Sequence, residues 1–267
     1  MQIIKKTANS LQNLSLAMRI LYPSFFIVFL FLMSISLSPL HKLNEFEKLV
    51  ANDSLFIAKY DNIWNYSGFT EMVKEKTYIE AMLKLAENDS IQLVLNLADS
   101  TACLFIKGVK IHQSPIKQFK QDKLLEKLTN MEYAKVFSQP LNIKSQVATI
   151  VKEPIVVRQA PKDAIEAALN AGVPDTLIQN PAFFLLRIEH GIDLIFEQES
   201  SPAFHDKWIK FMFYKDLWAN KTLKALTCFF TFKKQECHPT ITIKTPASDL
   251  RAIYRALPQN AYVIMNI

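Results

Sequence analysis

Residues 20–40 read ILYPSFFIVFLFLMSISLSPL, an uncharged run of about 21 residues held between Arg19 and His41. A helix rises about 1.5 Å per residue, so the run reaches roughly the 30 Å of a bilayer's hydrocarbon core. Pro23 lies near its start and Pro39 near its end. The interval from Ser24 to Ser38 is proline-free and can keep its backbone hydrogen bonds internal, as lipid requires. The sequence therefore predicts a transmembrane helix over 20–40. A cleavable signal shares the basic start and apolar core, but its apolar region usually has roughly 7–15 residues and ends at a small-residue site. Here the run is longer and about 19 residues precede it. Ser34-Ile35-Ser36 is the nearest imitation of such a site. A buried helix of a soluble protein is the third reading of the same run.

Lys5, Lys6 and Arg19 precede the run with no acid before it, whereas His41, Lys42, Glu45, Glu47 and Lys48 follow with mixed charge. The positive-inside rule then directs the N-terminus to the cytoplasm. The expectation is a single-pass protein of the inner (cytoplasmic) membrane with an extracytoplasmic, periplasmic C-terminal part. The chain divides on this reading into a cytoplasmic segment (1–19), the membrane helix (20–40), a helical stalk (41–90) and a sheet-rich domain (91–267).

Composition narrows the function. The net charge is +6, and three of the 31 basic residues lie before the membrane run, leaving 28 against 25 acids beyond it. That balance is too mild to point to nucleic acid. The four glycines, Gly68, Gly108, Gly172 and Gly191, are too far apart to build a Walker loop or a dinucleotide fingerprint. No cofactor is implied. Of the three cysteines, Cys103 lies in the apolar run Ala102–Ile106 and reads as a core residue, while Cys228 and Cys237 are spaced to close a short disulfide loop in an oxidising compartment.

Working outward from the anchor, Leu43, Phe46, Leu49 and Val50 give His41–Ala51 the pattern of a short stalk helix. Thr70–Glu87 predicts a second helix, with Thr70 as N-cap and Met72, Ile79, Met82, Leu83 and Ala86 facing inward. Ile91–Leu97 and Thr101–Ile106 form a hairpin across Ala98-Asp99-Ser100, and Val109–His112 begins a third strand. Ile116–Phe119 is a weaker strand reading. Gln121–Thr129 reads as a helix with Leu124, Leu125 and Leu128 inward, and Leu141–Val157 as extended chain broken at Pro154. Residues 158–181, with Pro161, Pro174, Pro181 and an alanine-rich middle, are expected to form a mobile excursion. Ala182–Ile188 and Ile192–Gln198 flank Glu189-His190-Gly191 as a second hairpin. Trp208–Tyr214 alternates with period two and reads as a strand, Lys215–Leu226 is ambiguous between helix and loop, and Thr227–Lys233 and Thr240–Lys244 are strands whose terminal lysines suit sheet edges. Finally, Ser248 is placed to cap a helix that presents Leu250, Ile253, Tyr254 and Leu257 on one face, stops at Pro258, and leads into a last strand over Ala261–Ile267.

In two places the chain resembles the catalytic domain of the L,D-transpeptidases, periplasmic enzymes that crosslink peptidoglycan stem peptides through a cysteine acyl-enzyme. The hairpin LVLNLADSTACLFIKGVKI (93–111) is similar to the one that opens their domain. Asp249, Tyr254, Leu257, Pro258 and Val263 match the pattern that closes it. The resemblance implies an α+β fold: an N-terminal transmembrane helix followed by a mixed, sheet-rich L,D-transpeptidase-like domain. It covers about a fifth of the chain. The family's catalytic signature sets cysteine after histidine or glycine and before arginine. Here the corresponding stretch is Glu236-Cys237-His238-Pro239-Thr240. Cysteine precedes histidine, no glycine separates them and no arginine follows. A thiolate nucleophile needs a base within reach and backbone N–H groups around the developing oxyanion, and Pro239 removes one such donor. The resemblance thus implies the fold without the chemistry: a membrane-anchored binding or scaffold module with peptidoglycan or an envelope protein as partner. An active transpeptidase or carboxypeptidase variant and an unrelated anchored interaction protein are the alternatives.

Other constellations are sparse. Cys237 and His238 remain as a displaced reactive pair, though neighbours in an extended strand point to opposite faces. His41, His112, His190, His205 and His238 form no H-x-x-x-H or H-x-H pair, so no metal site is predicted. Lys207, Lys210 and Trp218 belong to a lysine and aromatic stretch that reads either as a surface for an acidic partner or as a sheet with solvated lysines on its outer face.

Overall fold

The computed structural model describes residues 2–51, 68–152, 181–199 and 203–267, with side chains from residue 21 onward. Of the excursion expected at 158–181, all but Pro181 lies outside the described residues, as does 52–67 of the stalk. The helices are α1 (Gln2–Ala51), α2 (Phe69–Ala86), α3 (Lys123–Glu126), α4 (Asn130–Phe137), α5 (Phe204–Phe230) and α6 (Ala247–Ala256). The strands are β1 (Gln92–Asn96), β2 (Thr101–Ile106), β3 (Val109–Pro115), β4 (Gln118–Gln121), β5 (Leu141–Ala148), β6 (Phe183–Ile188), β7 (Asp193–Gln198), β8 (Thr240–Thr245) and β9 (Tyr262–Asn266). The chain is therefore α+β. It forms two compact units, Met1–Glu45 with Leu217–Cys237, and Phe46–Asp216 with His238–Ile267.

The larger unit is a nine-stranded mixed sheet in the order β3-β2-β1-β9-β5-β6-β7-β8-β4. Among the described strands only β1 with β9 and β7 with β8 run parallel. Strands β3 and β4 stand at opposite ends of that order, yet Ile116 and Lys117 alone separate them in sequence. Two residues span only about 7 Å of extended chain, so the sheet curls until one nearly continuous segment closes both edges. The Ile116 amide bonds the Ser100 carbonyl on one side and the Lys117 amide bonds the Lys244 carbonyl on the other. Inside the curl lies the main core, where Leu93, Leu95, Phe184, Phe196, Ile241 and Ile243 meet Leu250 and Ile253 of α6, Phe137 of α4 and Phe46. Outside, α2 covers β1, β2 and β9 through Ala81 and Leu85 on Val94, Cys103 and Ile264. The β2–β3 turn has Lys107 and Gly108 at positive φ (49° and 76°), the pairing a tight hairpin needs. Gly108 passes so close to α2 that a Cβ there would come within 3.0 Å of the Ala86 Cβ.

Both predicted hairpins, the closing helix with its four inward residues and the last strand form as read. Several readings are corrected. Trp208–Tyr214 is helical, and with Lys215–Leu226 and most of Thr227–Lys233 it forms the single helix α5. Its covered positions, Ile209, Lys210, Phe213 and Leu217, recur at helical spacing, which the period-two alternation of bulky residues conceals. The expected stalk helix is not separate: α1 continues through Pro39, and nothing between there and Ala51 supplies the glycine that commonly ends a helix. In α2 the inward face is Phe69, Val73, Thr77, Ala81 and Leu85, while Met72, Ile79 and Leu83 are exposed. Gly68, not Thr70, is its N-cap, and Pro246, not Ser248, occupies that position in α6. The helix at Gln121–Thr129 is only the short α3. A second helix, α4, follows on a capping box in which the Thr129 hydroxyl and Glu132 carboxylate bond each other's backbone amides. Strand β8 is flanked by β7 and β4, so Lys244 does not guard an edge; its Nζ donates to Gln118 Oε1 at 2.9 Å.

In the smaller unit, the large side chains from Leu21 to Phe29 on α1 are exposed. Covered positions begin at residue 31 and recur at 34 and 38. Phe31 meets Phe229 of α5 edge-on, ring centroids 5.5 Å apart, and the Ser38 hydroxyl donates to the Gln235 carbonyl.

Candidate functional site

The stretch 236–240, where the sequence departs from the catalytic signature, and the three cysteines are divided between the two units. In the larger unit, His238 leads into β8, and its Nδ1 lies 2.9 Å from the Gly191 carbonyl. A carbonyl only accepts, so Nδ1 carries the proton of that bond and the ring is oriented by the β6–β7 turn. In that turn His190 and Gly191 are both at positive φ, as a tight hairpin requires. The Pro239 carbonyl accepts from the Asp193 amide at 2.9 Å, which begins the parallel β7–β8 ladder. The stretch thus serves strand pairing. In the smaller unit Cys228 and Cys237 are half-buried, and no disulfide joins them. Cys103 is buried; desolvation pushes its thiol up, against smaller opposing effects of Thr101 and Lys110. A raised thiol is a poor nucleophile. Among the described residues no three His, Cys, Asp or Glu side chains gather in a way that holds a metal ion.

Of the surface predicted from Lys207, Lys210 and Trp218, Lys207 and Trp218 are exposed. Lys210 instead turns inward and meets Glu197 Oε2 at 2.7 Å. Glu197, only 3% exposed, also accepts a short hydrogen bond from the Tyr214 hydroxyl. Burial pushes that phenol well above its ordinary range, and the hydrogen bond and charge of the carboxylate push it further. Lys210 and Tyr214 lie one helical turn apart on α5, so both donors reach one acceptor on β7. The cluster continues along the strand. Arg187 forks onto Asp193 at 2.7 and 2.9 Å, Gln198 accepts from the Ala182 amide and donates to Asp206, and Phe213 stacks on Phe183. Sequence reasoning missed Glu197. The available signal was an acid, Glu197, directly after the apolar Leu194-Ile195-Phe196 with a Lys and a Tyr four apart downstream. Chemically the cluster is a staple: its carboxylate is held by two donors, and its phenol is too weak an acid to act near neutral pH.

Two further groups have chemical character. Lys152 donates to the Leu257 carbonyl at 2.5 Å and to Gln146 Oε1 at 2.7 Å, and lies over the Tyr254 ring at 4.7 Å. Burial holds its pKa below the usual lysine range. It closes the end of α6, where a cation complements the exposed carbonyls. Burial raises Glu189, but the hydrogen bonds from Lys144 and the Asn142 amide, with the charges of Lys144 and His190, outweigh this and hold its carboxyl below the ordinary value.

No family model, curated protein or solved structure matches this chain.

Proposed function

We propose that this protein is a single-pass anchor for an extracytoplasmic α+β domain of the L,D-transpeptidase type, which binds peptidoglycan or an envelope protein as a scaffold and performs no acyl transfer. On this reading the N-terminus faces the cytoplasm and the sheet faces the periplasm. Support for the membrane assignment is the apolar surface of α1, where Leu21, Tyr22, Phe25, Phe26, Ile27 and Phe29 are all exposed. A strip of that size is stable in lipid and costly in water. The observation that carries the functional half is the division of labour among the motif residues. Tyr254, Leu257 and Val263 are buried, and Asp249 accepts from the Ser114 hydroxyl at 3.0 Å, so four of the five retained positions serve the scaffold, Pro258 being exposed. The stretch that would hold the chemistry instead carries Pro239 and a histidine bonded to the Gly191 carbonyl.

Two assays on the detergent-solubilised full chain test the reading. It should co-sediment with purified peptidoglycan sacculi, and its intact mass should be unchanged by a carbapenem. A covalent mass gain would establish an active acyl-enzyme. Failure to sediment, with mass unchanged, would move the partner from the wall polymer to an envelope protein.

A further inference from the structure

We propose that the end of α5 and the turn beyond it, residues 223–232, form a second, non-spanning membrane contact that enters the outer leaflet beside α1. The proposal rests on residues 20–40 being a transmembrane anchor. Depth is set within the smaller unit alone. Phe229 packs edge-on against Phe31, which stands near the middle of the anchor, and Gln235 accepts from Ser38, near its outer end. Seven residues separate Phe31 from Ser38, about 10 Å along a helix axis. The chain therefore descends to mid-anchor level at Phe229 and has climbed back to the outer end by Gln235.

Composition agrees with that depth. Residues 225–232 read ALTCFFTF without a charge, bracketed by Lys221 and Lys224 before and Lys233 and Lys234 after. The six helical residues 225–230 cover about 9 Å, less than one leaflet of roughly 15 Å, so the segment dips without crossing. The lysines are positioned at both limbs to reach headgroup phosphates by extending their stems. Leu223 and Leu226 are exposed, Phe230 is 66% exposed and Phe232 98%.

Both threonine hydroxyls at the tip bond internally, as lipid favours. The Thr227 hydroxyl donates to the Leu223 carbonyl at 2.8 Å and the Thr231 hydroxyl to the Thr227 carbonyl at 2.7 Å. The helix ends in a double closure, with the Lys233 amide on the Cys228 carbonyl and the Phe232 amide on the Phe229 carbonyl. That arrangement places its pivot residue in the left-handed region, where glycine is usual. Here the pivot is Phe232, with φ of 52°. A bulky residue in that conformation is strained, and its ring touches almost nothing of the protein. Glycine would relieve the strain in water. Acyl chains give the ring a partner.

The test uses the full chain with Cys228→Ser and Cys237→Ser, leaving the buried Cys103, in vesicles of phosphatidylethanolamine and phosphatidylglycerol. A nitroxide is attached in turn at Phe232→Cys, at Leu32→Cys in the anchor, and at Ala98→Cys in the exposed β1–β2 turn. Collision with oxygen, which partitions into lipid, is compared with collision with a water-soluble nickel chelate. The expected result is a several-fold higher oxygen-to-nickel ratio at 232 than at 98, matching the sign seen at 32. Nickel access at 232 with lipid character at 32 overturns the contact and leaves the anchor standing. Weak collision with both reagents at 232 overturns it in favour of a protein partner. Nickel access at both 32 and 232 removes the anchor and the contact together.

Discussion

Helix α6 and the last turns of α5 are both rich in large apolar side chains, and they dispose of them in opposite ways. In α6, Leu250, Ile253 and Tyr254 are buried, together with Leu257 just beyond the helix. In α5, Leu223, Leu226 and Phe230 stand exposed, with Phe232 beyond them. The curl of the sheet supplies a concave apolar face to the first. Among the described residues none covers the second. Apolar content therefore does not decide burial; the presence of a complementary surface does, and the surface proposed for the end of α5 is the bilayer.

The largest effect expected from this contrast is on folding. Ile253→Ala removes a fully buried side chain and should cost about 2–5 kcal/mol in urea unfolding of the detergent-solubilised protein. Phe230→Ala in the same assay should stay within about 0.5 kcal/mol, because its ring is already exposed. Equal losses would mean that the two helices are packed alike. Next in size is the Glu197 staple. Lys210→Met leaves a buried carboxylate with Tyr214 as its remaining donor in the cluster, a loss of about 1–3 kcal/mol. Glu197→Gln should cost less, since Lys210 is half-exposed and rehydrates. The opposite order would place the cluster's strength in the lysine.

A smaller effect depends on acid. The Glu189 carboxyl sits below its unfolded value of about 4.3, so the stability it contributes is complete above that pH and is lost as pH falls through the lower folded value. Glu189→Gln should flatten this part of the acid limb in urea midpoints measured from about pH 5 to pH 3. An unchanged limb would show that the contacts with Lys144 and Asn142 do not favour the charged form. Smallest of all, Met72→Ser and Leu83→Ser should fall within about 0.5 kcal/mol of the parent, whereas Leu85→Ala should cost about 2–5 kcal/mol. Reversal of that pattern would restore the inward face that hydrophobicity alone assigns to α2.

The fate of α2 shows why part of the fold was legible in sequence and part was not. Two stripes run along that helix. The one that packs includes Thr77 and Ala81, whose small side chains let α2 approach the sheet closely, and the one that reads as hydrophobic carries Met72, Ile79 and Leu83. Periodicity registers size and apolarity, and close approach selects against size. Where the two requirements coincide, as at Leu250, Ile253, Tyr254 and Leu257, the helix was read correctly, and the hairpins at Ala98–Ser100 and Glu189–Gly191 were marked by polar turns between apolar strands. The region from Trp208 to Phe230 failed for a different reason. Alternating aromatic and lysine residues satisfy a strand pattern, but Lys210 is turned to a buried acid on β7 and Phe213 to Phe183. Those partners lie in a part of the sequence that local pattern does not consult. The same limit applied to the candidate site. Cys237 and His238 were visible as residue types, whereas the bond from the His238 ring to the Gly191 carbonyl depends on the β7–β8 pairing.

The account's central claim is that one helix holds an exported domain to the membrane, and a fusion of alkaline phosphatase after Ile267 tests it most directly. The enzyme acquires its disulfides, and hence activity, only outside the cytoplasm. The fusion should be active, sediment with membranes through an alkaline carbonate wash, and retain residues 1–40 in its intact mass. An inactive fusion, or an active one released in soluble form without those residues, would contradict the account.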